Sequence, residues 1–560
     1  NTTTFAYDTL GRMTSTTDMG GHTTTMAYDH MGRVVSRTDP VGTVSYAYDP
    51  MGNKTGVTDE RSKVTSYTYY GRGWINTVAD PVYKYVRNFY DNAGRVIKTG
   101  ANAAGTADPT EYTYHATKGL LSKTRYWTGA SYYDADYTYD DAARLTKIGD
   151  WINSAYGIQF TYDDTGRLLT KKDYAANKTL TYTYDTAGHI ASMTDPNGQQ
   201  TAYTYTDTGR LDTITAPGSK VWNWDYNNLG QKTQYTHPNG TRTEYGYDTR
   251  HRLTSIVHKD ASNNAVLDSF TLTLDTEGNI TQVLHADGTK WVYTHDTRHR
   301  LTDAYLRDSA NSIMRIHTYA YDVANNLTGK TRTILSPASY AYWTYGYDNA
   351  NQQTSATMNG GTAETRTYDD WGRMATRTQG TSSATFGYRY GGRLYSYATN
   401  FGGETAETMQ YRGDGRLYSR TTSAATKVYR YDRGWNAINE EDGAGTLLYT
   451  SVYAPGAEVG ERLAYSLLQF SYGLIDYAYH DQLGSTRAWR LGNKSLVGRN
   501  DFGPYGEPIS TYAGLPMDYA LHVQDPNTLL YHAAYREYAA GWARWTTRDP
   551  LGMVDGPNMY

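Results

Sequence analysis

No cysteine occurs in the 560 residues of this sequence, so neither disulfides nor thiolate-bound metal can staple it. A large secreted chain without disulfides suits bacterial export better than an oxidising eukaryotic compartment. Aliphatic side chains are also scarce: hydrophobic residues make up 38%, Phe numbers 8, and mean hydropathy is -0.71. That poverty excludes several compact oily cores, although the length would allow three or four domains of roughly 100 to 200 residues. No apolar run approaches the roughly 18 residues that would span a bilayer as a helix. An excess of one charge is missing too. With a formal net charge of -4, a pI near 6.4 and both signs interspersed, nothing points to nucleic acid. The sequence opens at Asn1 with neither initiator Met nor signal peptide, and Tyr560 falls inside what reads as a continuing motif. A fragment or trimmed product is expected.

What is present in quantity is tyrosine: 58 Tyr and 12 Trp supply the main apolar mass. Low aliphatic content alone would warn of disorder. An aromatic fraction of 14% and a nearly balanced charge cancel that warning, because disordered chains have few aromatics and repel themselves.

The tyrosines recur in a pattern. "YDTLGR" at Tyr7 returns as "YDHMGR" at Tyr28, "YDPMGN" at Tyr48 and "YDDTGR" at Tyr162. The Tyr heading each unit falls at Tyr7, Tyr28, Tyr48, Tyr69, Tyr90, Tyr114, Tyr139, Tyr162, Tyr184, Tyr205, Tyr226 and Tyr247, a period of about 21 residues. The series resumes in "LDTEGN" at Leu274, "YDVANN" at Tyr321, "YDNANQ" at Tyr347, "YDDWGR" at Tyr368, "YRYGGR" at Tyr388 and "YDRGWN" at Tyr431. A motif copied this often belongs to a building unit, since an active site needs each of its groups once.

One unit, "TYTYDTAGHIASMTDPNGQQTAYTY" from Thr181, contains the local physics. Thr-Tyr-Thr-Tyr alternates with period two, a strand with Tyr on one face and Thr on the other. "DTAG" supplies turn residues, "HIASMT" reads as the return strand, and "DPNG" as a second turn. Each unit is thus one hairpin. A lone hairpin is marginal in water, so successive hairpins are expected to wind into one spiral antiparallel sheet, a hollow all-β cocoon whose wall needs little aliphatic filling and whose rolled edges are hidden. An open solenoid or a β-propeller is the alternative, although blade repeats of about 40 to 50 residues are twice this period.

These units resemble the YD repeats of the Rhs family, which also includes the C components of insecticidal Tc toxin complexes and, more distantly, the shell region of animal teneurins. After about Glu440 the period fades, and "YHDQLGSTRAWR" from Tyr479, "DFGPYGEP" from Asp501 and "RDPLGMVDGPNMY" from Arg548 are similar, in order, to the Rhs-associated core. The stretch between them, from Asp525, departs from the pattern: "YREYAAG" lacks the Asp-Pro that commonly precedes that Gly. The resemblance divides the chain into a YD-repeat shell over 1–440 and a capping core over 441–560. It further implies an aspartic autoprotease that frees a C-terminal effector inside the shell, with two carboxyl groups at one peptide bond, one ionised and one protonated. Asp549 matches the first of them and Arg548 the basic residue that steadies a carboxylate. The second Asp and the scissile bond belong to a later motif, so 1–560 by itself is expected to be proteolytically silent. Asp-Pro is also a common turn opener, and that reading of Asp549 stays open.

Other candidates read as turns. "THDTRHR" at Thr294 and "DTRHR" at Asp248 look like metal or phosphate sites by composition, but each replaces the "xxGR" of a unit. "EEDGAG" from Glu440 lacks calcium-loop spacing, and "GGRLY" is no phosphate loop. No cofactor and no metal is expected. The expected partner is the chain's own C-terminal effector, with secretion-system components or a surface partner beside it, and the expected place is outside the cell or on its surface. A cell-surface adhesion protein binding a partner or glycan through its outer wall is the alternative function.

Overall fold

The computed structural model describes residues 2–152, 154–155, 157–454, 460–467, 475–510, 516–551, 553 and 558–560. Gly552 and residues 554–557 of the closing motif lie outside the described residues. Among those described there is no α-helix; 45 strands belong to one antiparallel sheet, followed by a 2-stranded and a 5-stranded sheet. The all-β hairpin fold expected from the repeat is the one observed.

The unit quoted above folds as read. Lys178–Tyr184 pairs antiparallel with Ile190–Thr194, which pairs with Gln200–Tyr205. The register slips at the Tyr that opens each motif, between Thr183 and Tyr184 here and between Ala6 and Tyr7 in the first unit. The cause is the loop. Asp8 N donates to Arg12 O (2.9 Å), Gly11 N donates to Asp8 O (3.0 Å), and Gly11 sits at φ 79°, a tight turn closed by a left-handed residue and a bulge.

Each letter of the motif then has a job. Asp8 Oδ1 accepts from Leu10 N and Arg12 N at 2.9 Å, and its Oδ2 accepts from Arg12 Nε at 2.7 Å. The same guanidinium reaches the next unit, donating through Nη1 to Asp29 O (3.2 Å) and covering the Tyr28 ring at 4.8 Å. Tyr28 closes the stitch by donating to Met13 O at 2.6 Å. The stitch repeats: Tyr162 donates to Leu145 O, Tyr184 to Leu168 O, Tyr226 to Leu211 O and Tyr321 to Leu301 O. Asp shapes its own turn while Arg and Tyr fasten neighbouring hairpins, so the repeat is wall.

Because the Gly position has positive φ, a side chain there is strained by about 1–2 kcal/mol. His251 occupies it at φ 64° and Gly166 at φ 87°. We expect Gly166→Ala to destabilise and His251→Gly to stabilise by about 1 kcal/mol each, read from denaturant midpoints.

The residues group into two compact units, 1–109 with 271–386 and 543–560, and 110–270 with 387–542. Within each, the hairpin ribbon returns upon itself. In the first, Arg298 donates to Asp39 at 2.7 Å across 259 residues, and Arg61 to Asp348 O at 2.6 Å across 287. In the second, Arg412 donates to Asp150 at 2.7 Å across 262, and Thr241 meets Tyr479 at 2.6 Å across 238. A coil of ribbon therefore lies on an earlier coil, joined turn to turn by polar groups. Long hairpins continue through Leu496–Arg499, and short strands follow from Asp501.

Candidate functional site

Near the end of the chain, Thr546 O accepts from Met374 N at 3.0 Å. Arg548 follows, donating through Nη2 to the buried Asp80 carboxylate and through Nε to Tyr560 Oη at 3.1 Å. Tyr560 in turn donates to Gly372 O at 2.7 Å, and its hydroxyl meets the Gln352 amide at 2.8 Å. Arg548 thus steadies a carboxylate of the early coil. Asp549 is half-buried; its N–H donates to Met559 O (2.8 Å) and its Oδ1 accepts from Leu551 N (2.8 Å), the hydrogen bond of an Asx turn. The two residues named from the sequence therefore sit in a segment fixed to residues 80, 352 and 372. Burial raises the carboxyl pKa of neighbouring Asp348, with the Asp80 charge adding to it.

The remaining sequence candidates are turns. His251 and His299 take the left-handed position of their loops at φ 64° and 61°. In "EEDGAG", Asp442 Oδ1 accepts from Ala444 N and Thr446 N at 2.9 and 2.8 Å. Glu441 is fully buried against Arg430 (2.8 Å) and Lys178 (3.3 Å), so it has no carboxylate to offer calcium. "GGRLY" turns at Gly391 and Gly392, and Arg393 donates to Ala534 O at 2.7 Å.

Two clusters in the second unit escaped the sequence reading. One is a ladder of ion pairs between coils. Arg412 bridges Asp150 (2.7 Å) and Asp173 (2.6 Å), and Arg430 bridges Asp173 (3.0 Å) and Glu441 (2.8 Å). Beside it, burial pushes the Asp414 carboxyl up, but Lys171 and Arg416 outweigh it and hold that carboxyl well below the usual range.

The other cluster is a histidine chain. His258 Nε2 lies 3.1 Å from His480 O, which can only accept, so Nε2 carries the proton. Thr243 Oγ1, 2.9 Å from His258 Nδ1, must then donate to it, and His237 Nε2 donates to Thr243 Oγ1 at 3.1 Å. Both rings pack on Tyr479, at 4.9 and 5.0 Å between centroids. Burial lowers the pKa of His258 to about 3 and that of His237 far below its usual value. Nearby, His480 lies 3.0 Å from Glu461, which also meets Lys232 at 3.5 Å. A cavity of about 350 Å³ adjoins, lined by Tyr235, Tyr245, His258, Glu461 and His480. A larger one, about 450 Å³, lies among Arg420, Tyr429, Trp435, Tyr465 and His522.

Comparison with known proteins agrees with this architecture. Residues 89–266 match the teneurin YD-shell family, and residues 7–44 and 28–63 match the RHS repeat. No curated protein matches in sequence. A crystal structure of TcdB2-TccC3 superposes over the whole chain with TM-score 0.81 at 17% identity, covering 34% of that chain. TcdB2-TccC3-TEV gives 0.80 at 16% identity, and a Photorhabdus luminescens Tc holotoxin pore 0.69 at 16%; each is covered over 33% of its length. The protein thus spans about a third of the chains it resembles, and at these identities the likeness concerns the fold.

Proposed function

We propose that this chain, an Rhs/YD-repeat protein by its repeats and its fold, forms part of a toxin-associated shell that encloses a C-terminal effector and keeps it from its targets. The observation that carries this reading is the superposition of the whole chain on the TcdB2-TccC3 crystal structure at TM-score 0.81. The motif physics supports it: repeating Asp, Gly, Arg and Tyr as turn formers and fasteners makes wall. Enclosure suits export, since an effector sealed during synthesis cannot act on its producer. In this proposal 1–560 is non-enzymatic alone, and Asp549, pre-ordered by its turn and by Arg548 on Asp80, supplies one of two carboxyls for release of the effector.

The test is the intact mass of the natural gene product, expressed through its own C-terminus beside an Asp549→Asn variant. We expect the wild type to be cut beyond the core, the variant to stay whole, and both wild-type fragments to co-elute. If neither is cut, Asp549 is a turn residue and the shell holds its contents uncleaved. A second reading, a cell-surface contact protein, draws on the teneurin YD-shell match over 89–266; retention of a glycan or protein partner by an effector-free chain would favour it.

A further inference from the structure

Where the coils of the first unit meet, carboxylates of early turns are generally paired with a fixed cation. Asp39 and Glu60 share Arg298 (2.7 and 3.1 Å), and Asp59 and Asp322 flank Arg61 (4.0 and 3.7 Å). One rung departs from this. Asp18, one repeat before Asp39, faces Glu277 with neither Lys nor Arg paired to them; their partners are His22 and His299. Two carboxylates and two imidazoles, the donor types of a metal site, thus converge at a contact between coils.

We propose that this rung, Asp18, His22, Glu277 and His299, is a divalent-cation site of the zinc class that clasps the first coil to the second. Four donor atoms, one from each residue, lie within 4.8 Å of one another. His22 Nδ1 is 3.1 Å from Asp18 Oδ2, and His299 Nε2 is 3.7 Å from both Asp18 Oδ2 and Glu277 Oε2. A separation of 3.7 Å is too long for a hydrogen bond. It is close to the spacing of about 3.3–3.6 Å between ligands arranged tetrahedrally around zinc at about 2.0–2.2 Å. Mixed imidazole and carboxylate donors suit zinc better than calcium or magnesium, which take oxygen.

The surrounding residues fit this role. A Cβ on Gly20 would stand 2.8 Å from Glu277 Oε2, so the missing side chain is what admits that carboxylate. The loop containing His299 would run more easily with glycine, yet it carries an imidazole at φ 61° directed at two carboxylates. Asn279 Nδ2 lies 3.0 Å from His299 Nδ1 and 2.7 Å from Asp275 Oδ2. Zinc at Nε2 would place the ring proton on Nδ1 and require the Asn279 amide to swing off that atom while keeping its hydrogen bond to Asp275, an adjustment of the outer shell.

The probe is zinc itself, added to the chelator-stripped chain and followed by calorimetry and by metal analysis after dialysis, with cobalt as the spectroscopic substitute. We expect one equivalent and tetrahedral cobalt bands. His299→Gly removes a ligand while supplying the residue its turn prefers, and Gly20→Ala keeps all four ligands but displaces Glu277. Each should weaken zinc at least tenfold, whereas His251→Gly, the same change in a loop without the cluster, should leave it unaltered. Absence of stoichiometric zinc, or zinc held equally well by His299→Gly and Gly20→Ala, overturns the proposal.

Discussion

Acidification from pH 7 to pH 4 should unfold the unit formed by 110–270 and 387–542, with most of the lost stability traceable to His258 and His237. Both rings are almost fully buried, 1% and 3% exposed. The hydrogen bonds around His258 specify a neutral imidazole, since Nε2–H donates to His480 O and Nδ1 accepts from Thr243. A second proton on Nδ1 would have to displace the Thr243 donor. Arg490 and His480 disfavour the charge further, and Glu461 is the carboxylate that opposes them. The direction follows from linkage. The unfolded chain takes up these protons near pH 6.5, the folded chain holds His258 neutral down to about 3, and stability present above 6.5 is lost progressively as pH falls between those values. For His258 alone the full loss is on the order of 5 kcal/mol, a large part of a typical domain's stability. Burial pushes Glu461 up, but Lys232 and His480 outweigh it and hold it well below its usual range, so it adds a loss of the same sign at lower pH. Denaturant midpoints at stepped pH would measure this, with His258→Gln to remove one proton from the slope. A flat profile between pH 6.5 and 4 in the wild type would show that the histidine chain is hydrated and relaxed.

How much of this was readable beforehand depends on the range of the interaction. The hairpins were legible because period-two alternation in "TYTYD" and the turn chemistry of Asp and Gly act within five residues. The role of Asp8 as a turn former follows from the same local chemistry. The reach of Arg12 to Asp29 O and of Tyr28 to Met13 O spans most of a repeat and is visible in the sequence only as an unexplained recurrence of Arg and Tyr. The histidine chain and the ion-pair ladder were not legible. Their members lie far apart in sequence: 222 residues separate His258 from its acceptor at His480, and 257 separate Arg430 from Asp173. Periodicity predicts that coils form, but it does not specify where one coil meets another. His258 and Arg412 do sit at or beside strand positions where repeats usually carry an apolar or turn residue. Such breaks in a regular pattern are the one local sign that a position serves another coil. The same reasoning explains why Arg548 gave no hint of Asp80, its partner 468 residues away.

Replacing Arg412 by Met should cost the same unit about 3–5 kcal/mol, the range for breaking a buried pair from one side. Asp150 is 0% exposed and spends one oxygen on Arg412 Nε (2.7 Å) and Gly413 N (2.9 Å). Without the guanidinium the carboxylate keeps the backbone donors Gly413 N (2.9 Å) and Ile152 N (3.1 Å) but loses the Arg412 charge, and the methionine fills the volume without returning charge. The Asp173 end suffers less, because Arg430 still holds it at 3.0 Å. Removing both ends together distinguishes a lost charge balance from a lost contact. In Arg412→Met with Asp150→Asn the stranded charge is gone, so much of the stability should return, as buried pairs replaced by neutral groups commonly allow. Urea midpoints of the two variants, compared with wild type, measure both effects. A deficit below about 1 kcal/mol in the single variant would mean the ladder contributes no more than an exposed pair, and that coil-to-coil cohesion in this unit rests on the tyrosine contacts instead.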